Sequence, residues 1–156
     1  MIEFKHLEKA LKEYAEAIRD QYKDNLERDN RRATGDLITS INSKVIVDGN
    51  EYIIELQLED YWKYVEWDTK PHIPPVNKIL EWVRVKPVLP RPMKNGKLPT
   101  EQQLAWMIAD KISKEGTEGT HDLEDALAEV DYETIIEEAL EADVMDCFDE
   151  LLTIFQ

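Results

Sequence analysis

Apolar residues recur every three or four positions through the first part of the chain: Phe4, Leu7, Leu11, Tyr14, Ile18, Tyr22 and Leu26. That spacing lays one apolar stripe along a helix of about six or seven turns, with Lys, Glu and Asp on the opposite face. Leu37, Ile38 and Ile41, after Thr34-Gly35, suit a brief second helix. The pattern then changes to that of strands. Val45, Val47, Ile53 and Leu56 flank Asp48-Gly49-Asn50, residue types that tolerate positive φ, and predict a β-hairpin over 43–59. A dense aromatic stretch follows, and Pro71, Pro74 and Pro75 forbid a continuous helix beyond it. Pro75 suits the first turn of a short helix near 75–84 carrying Val76, Ile79, Leu80 and Val83. Residues 86–99 are proline-rich, contain an Asn95-Gly96 turn, and read as an irregular arm. Thr100 followed by Gln103 reads as a capping box opening a helix near 100–114, with Leu104, Met107, Ile108 and Ile112 inside, and the EGTEGTHD stretch with Gly116 and Gly119 breaks that helix. Apolar positions between Leu123 and Phe155 predict one or two terminal helices over 121–155, with a break near Val130-Asp131. The elements together predict an α+β, helix-rich single domain, which suits a chain of 156 residues.

Charge changes that picture most. The chain has 34 acidic against 19 basic residues, a formal net charge of −15. So acidic a surface repels the nucleic-acid backbone, which argues against tight general DNA binding. The charge is also polarised: many of the basic residues fall between Lys63 and Lys114, and no Lys or Arg occurs from Glu115 onward. A molecule built this way can meet different partners, or copies of itself, at its two ends; a solvated acidic helix that keeps the protein soluble would look the same. Hydrophobic residues at 42% are enough for a core, and the apolar runs are too short to cross a membrane. The charged stretch MIEFKHLEKALKEY lacks the apolar centre of a signal peptide. The single Cys147 excludes an internal disulfide and fits a reducing compartment.

Candidate chemistry is sparse. Thr34-Gly35-Asp36 could suggest a phosphate loop, but Gly35 stands alone, no lysine follows closely, and a helix rather than a strand precedes it. His6, His72, His121 and Cys147 are scattered, not clustered at metal-ligand spacing. Asp146 and Asp149 beside Cys147 disfavour a thiolate and suggest a buried, inert thiol. Carboxylate pairs such as Glu59-Asp60, Glu66-Asp68 and Glu124-Asp125 are so abundant that none stands out from solvated charge. No catalytic constellation, cofactor or metal site is expected. Aromatic residues beside prolines are the other loud feature. Acid among them cancels a single-stranded nucleic-acid reading, and such stretches more often pack in a core or form a protein interface. The interface candidates are Tyr61, Trp62, Tyr64, Trp67, Pro71, Pro74 and Pro75 in the aromatic segment. In the arm they are Val88, Leu89, Pro90, Arg91, Pro92 and Met93, and the terminal acidic helices are a third candidate.

Three segments carry a resemblance. Thr34-Gly35-x-Leu37-x-x-Ser40-Ile41 after the long helix resembles the "TG-L-x-x-S-I" signature of phage tail-completion and head–tail connector (neck) proteins. Tyr64-Val65-Glu66-Trp67-Asp68-Thr69 is similar to that family's "Y-V-E-x-G-T" segment, departing at Asp68, where the family usually has glycine. Ile108-Ala109 through Lys114-Glu115-Gly116-Thr117-x-Gly119-Thr120 is similar to the helix and "G-T-x-G-T" stretch in larger members from tailed phages, especially the crAss-like phages of gut bacteria. The resemblance spans about Phe4 to Leu127.

It implies a long N-terminal helix packed on a small antiparallel sheet. On this reading, residues 1–120 are the tail-completion-like domain with its arm at 86–99, and 121–156 are an acidic helical extension of it. It implies a structural virion protein without catalysis, made in the host bacterial cytoplasm and located in the neck or tail of the particle. Its partners would be other copies in a ring and the neighbouring portal, neck and tail proteins. Genome DNA would pass through that ring without being gripped, and no membrane would be involved. The alternative is an acidic adaptor or inhibitor that binds a basic protein, supported by the stretch without Lys or Arg after Glu115.

Overall fold

The structure is a computed structural model and describes residues 4–28, 36–49, 51–60, 62–86 and 88–154. Thr34, Gly35, Asn50, Tyr61 and Phe155, named in the expectations above, lie outside the described residues. The fold is α+β. In chain order it comprises α1 (Lys5–Arg28), α2 (Asp36–Ser40), β1 (Asn42–Asp48), β2 (Glu51–Gln57), α3 (Trp62–Glu66), α4 (Val76–Val85), α5 (Glu101–Glu115), α6 (Asp122–Glu129) and α7 (Glu133–Ile154). The expected helices and hairpin are present with ends shifted by one or two residues, and the tail breaks at 130–132. The short helix α3, inside the aromatic segment, is an addition to the sequence expectation. The chain divides into two compact units. One is built from Met1–Asn25, Ile41–Leu58 and Leu123–Gln156, the other from Leu26–Ser40 and Glu59–Asp122.

In the first unit, α1 buries Leu11, Ile18 and Tyr22 of the expected stripe, and Ala10 and Ala15 join them. Its partner is the acidic tail. The backbone N–H groups of His6 and Leu7 donate to the two oxygens of Asp143, at 2.9 and 2.8 Å. The Tyr14 and Tyr132 rings lie 6.0 Å apart, and the Gln21 amide donates to Glu129 at 2.7 Å. Partners along α1 therefore run in reverse order along 129–143, so α1 is antiparallel to this part of the tail. The first N–H groups of a helix have no intrahelical acceptor, and a carboxylate there satisfies them and complements the positive end of the helix dipole. Asp143 is 2% exposed; it is a helix cap supplied from a distant part of the chain. Replacing Asp143 with Ala is expected to cost about 1–3 kcal/mol, and Asp143→Asn, which keeps one acceptor oxygen, less. Urea midpoints of the two variants measure it, and an unshifted midpoint for Asp143→Ala would show that the cap is energetically idle.

The hairpin pairs Asn42 with Gln57 through Asp48 with Glu51. Its register places Ser43, Val45 and Val47 opposite Leu56, Ile54 and Tyr52 on one face, and Lys44 opposite Glu55 on the other. Lys44 Nζ is 3.1 Å from Glu55, and its hydrogen bond holds the Glu55 carboxyl below the ordinary range. Gly49, at φ 59°, makes the turn.

In the second unit, α5 opens on the expected capping box. Thr100 Oγ1 accepts the Gln103 N–H at 3.2 Å and Gln103 Oε1 accepts the Thr100 N–H at 3.0 Å. The side of α5 that is buried differs from the expectation. Ala105 and Ala109 form the buried seam, Leu104, Ile108 and Ile112 are half-buried, and Met107 is exposed. Small side chains at i and i+4 permit close backbone approach, and α5 contacts α4, whose Val83 is buried. The larger apolar residues flank the seam instead of filling it.

Candidate assembly surface

Two of the segments that carry the sequence resemblance touch one another. Thr69 and Thr117, 48 positions apart in sequence, form an isolated antiparallel bridge. The Thr69 N–H donates to the Thr117 carbonyl at 2.8 Å, the Thr117 N–H donates to the Thr69 carbonyl at 3.3 Å, and the hydroxyl oxygens are 2.7 Å apart. Farther along, the N–H groups of Thr120 and His121 donate to the carbonyls of Val65 and Glu66, at 2.9 and 3.0 Å. Val65 and Glu66 end α3, so these bonds satisfy carbonyls that a helix C-terminus leaves without an intrahelical donor. The Asp68 side chain accepts the Gly119 N–H at 2.8 Å. A glycine at 68 could not make that bond, and the departure from the family pattern thus acquires a local role. Among the described non-glycine residues, positive φ occurs at His121 alone, so the backbone at Asp68 needs no such turn.

The glycines explain how the two stretches of chain come so close. Gly116 has φ 77°, ends α5 and donates its N–H to the Ile112 carbonyl at 2.9 Å. A Cβ on Gly116 would overlap the Thr69 carbonyl oxygen, and one on Gly119 would overlap the Glu66 carbonyl oxygen and the Trp67 backbone. From the sequence these glycines read as helix breakers; their sharper role is to admit another backbone.

This clasp fixes α3 and the residue after it. The rings of Trp62 and Trp67 lie 5.0 Å apart, Trp67 and Tyr64 are exposed, and Lys63 Nζ lies 5.4 Å from the centre of the Tyr64 ring. Beside them opens a groove of about 1380 Å³, with Leu37, Ile79, Trp82, Leu104, Ile108 and Ile112 among its lining residues. Lys78, Glu81, Lys111 and Glu115 also border it. The groove thus carries charges of both signs beside its apolar lining. Burial, then Tyr132, raises the Tyr14 phenol, and the Arg19 hydrogen bond lowers Asp20. Among the described residues no group of three or more His, Cys, Asp and Glu could hold a metal ion. No described helix is long and apolar enough to cross a membrane.

The sequence-derived interface residues fall into different environments. Trp62 is half-buried, Pro71 and Pro75 are exposed, and Pro74 is buried, so Pro74 is a packing residue. In the arm, Leu89 is 92% exposed, Arg91 and Pro92 are exposed, and Val88, Pro90 and Met93 are half-buried. The arm holds a tight turn, in which the Met93 N–H donates to Lys97 O at 2.9 Å and the Gly96 N–H to Met93 O at 2.8 Å. Arg84, at its start, pairs with Glu101 at 3.2 Å. In the terminal acidic helices the prominent surface is on α7, where Leu140, Val144, Phe148, Leu151 and Leu152 are exposed. Their spacing of three and four was visible, but periodicity marks an apolar stripe and does not say what covers it. Asp143 was equally hidden among many acids, although it stands four residues from each of Ala139 and Cys147, on the side of α7 that is buried or half-buried. Cys147 itself is half-buried, more open than expected.

Neither a protein-family model, nor a curated protein, nor a solved structure matches this chain.

Proposed function

We propose that this protein is a structural component of a tailed-phage particle, in which copies form a ring in the neck that joins the portal-side connector to the tail. The observation that carries the reading is the clasp. Tyr64–Thr69 and Gly116–Thr120 are similar to family segments independently, and the hydrogen bonds between them give one physical reason for both to occur in one chain. Ring assembly also needs surface that a monomer leaves open. Tyr64, Trp67 and Leu89 are exposed in the two proline-rich segments, and large exposed apolar residues of this kind are common in interfaces. The net charge of −15 suits a conduit for DNA that must not hold it.

Sedimentation and light scattering of the purified full chain, together with its recovery from purified particles, test the reading. The expected result is concentration-dependent self-association and co-purification with particles. A chain that is missing from particles, and that leaves the monomer only when given a basic protein, would favour the acidic adaptor instead.

A further inference from the structure

Two exposed surfaces of this chain complement each other, and they are different surfaces. One is the segment 84–97, with Arg84, Lys86, Arg91, Lys94 and Lys97 and no acidic residue. Its Arg91, Lys94 and Lys97 are exposed and have no ion pair among the described residues, while Leu89 projects almost fully into solvent. The other is the second half of α7. Leu140, Val144, Phe148, Leu151 and Leu152 leave an open apolar face there. Glu141, Asp149 and Glu150 are exposed on the same stretch, and no basic residue lies within it.

We propose that the basic, proline-rich arm of one copy docks along the acid-flanked apolar face of α7 on the next copy. This rests on the ring reading and supplies its contact. Charge selects the occupant. Pairing α7 with α7 would bring two acidic helices together, and like charges across an interface oppose association. The arm presents opposite charge and apolar side chains together. Lengths agree as well: Leu140 to Leu152 spans about 18 Å of helix at ~1.5 Å per residue, and Val88 to Met93 spans about 16 Å at the ~3.1 Å per residue of a proline-rich extended chain. The prolines limit the freedom that the arm loses on docking. Because the two surfaces differ, each copy both offers an arm and receives one. Such a head-to-tail contact builds rings or filaments, not closed two-fold dimers.

The test uses two full-length variants. In the first, Arg91, Lys94 and Lys97 are each changed to Glu, which disables the arm and leaves α7 intact. In the second, Phe148→Asp and Leu152→Asp block α7 and leave the arm intact. Both α7 side chains are well exposed, at 58% and 62%, so the fold is expected to persist, as circular dichroism would verify. A milder pair, Phe148→Ser and Leu152→Ser, stands in if helicity falls. Each variant alone is expected to stay monomeric in sedimentation velocity. Mixed, they have one complementary contact left and are expected to form a 1:1 complex. That complex should bind at least ~10-fold more weakly in about 500 mM than in about 50 mM NaCl, because salt screens the opposite charges. No complex on mixing overturns the proposal. So does self-association of the arm variant that grows with salt, the sign of α7 pairing with itself. If the mixture stays monomeric while the protein is still found in particles, the ring reading stands and this contact falls. If the 1:1 complex forms but the protein is absent from particles, the contact stands and the ring reading falls.

Discussion

Gly119→Ala is expected to unfold the clasp unit at far lower denaturant than the parent chain, with a loss of about 3 kcal/mol or more. The added methyl would overlap the Glu66 carbonyl oxygen and the backbone of Trp67. Those atoms belong to the end of α3 and the residue after it, and cannot turn aside as a side chain would. Relief would require separating the two segments, which breaks the hydrogen bonds from Thr120 to Val65 and from His121 to Glu66. Gly116→Ala is expected to do at least as much harm, since it combines a Cβ against the Thr69 carbonyl with φ 77°. Gly96→Ala is the control. It has a similar φ of 75° but nothing within 4 Å of the added atom, so only the conformational cost of about 1 kcal/mol applies. Tryptophan fluorescence reports the transition because Trp62 and Trp67 pack on each other beside the clasp. Equal midpoints for Gly119→Ala and Gly96→Ala would show that the close approach of the two backbones carries no energetic weight.

Deletion of residues 88–97 is expected to abolish assembly while leaving a folded monomer. The segment lies between α4 and α5 and contains neither helix nor strand. The ties that hold its flanks are outside it: Arg84 to Glu101, and the capping box at Thr100. A short glycine–serine linker would bridge the gap, and loop-length changes cost little when the ends are already held, about 0.6 kcal/mol per doubling. Circular dichroism and the urea midpoint are therefore expected to change little, while the sedimentation coefficient falls to that of a monomer under all conditions. Assembly that survives the deletion would show that the arm is not the connecting element.

Much of the fold could be read from the residues because local rules fixed it. The three-and-four stripe of α1, the turn at Gly49 and the Thr100–Gln103 capping box each depend on neighbours a few positions away. What could not be read depends on distant partners. The Asp143 carboxylate caps α1 from 136–137 positions along the chain, and only its four-residue spacing from Ala139 and Cys147 sets it apart from the other acids of α7. The glycines at 116 and 119 were visible as breaks, but only the opposing backbone of 66–69 explains why glycine is needed. On α5 the hydrophobic pattern pointed to the largest residues as the buried ones, whereas Ala105 and Ala109 are buried and the larger ones line the groove. The candidate surface was legible in part. Exposure of Leu89 in the arm agreed with its composition, Pro74 turned out to be buried, and the terminal acidic helices were named as a whole without the residues of the α7 face that is open.

The most direct test of the central claim is cryo-electron microscopy of particles purified from an infected host in which this chain is expressed. Density for the long helix α1, the hairpin and the clasp unit is expected to repeat around the particle axis between portal and tail, with the arm of each copy reaching its neighbour. Well-resolved necks with no density that this fold can occupy, in particles from which the chain is absent by mass spectrometry, would contradict it.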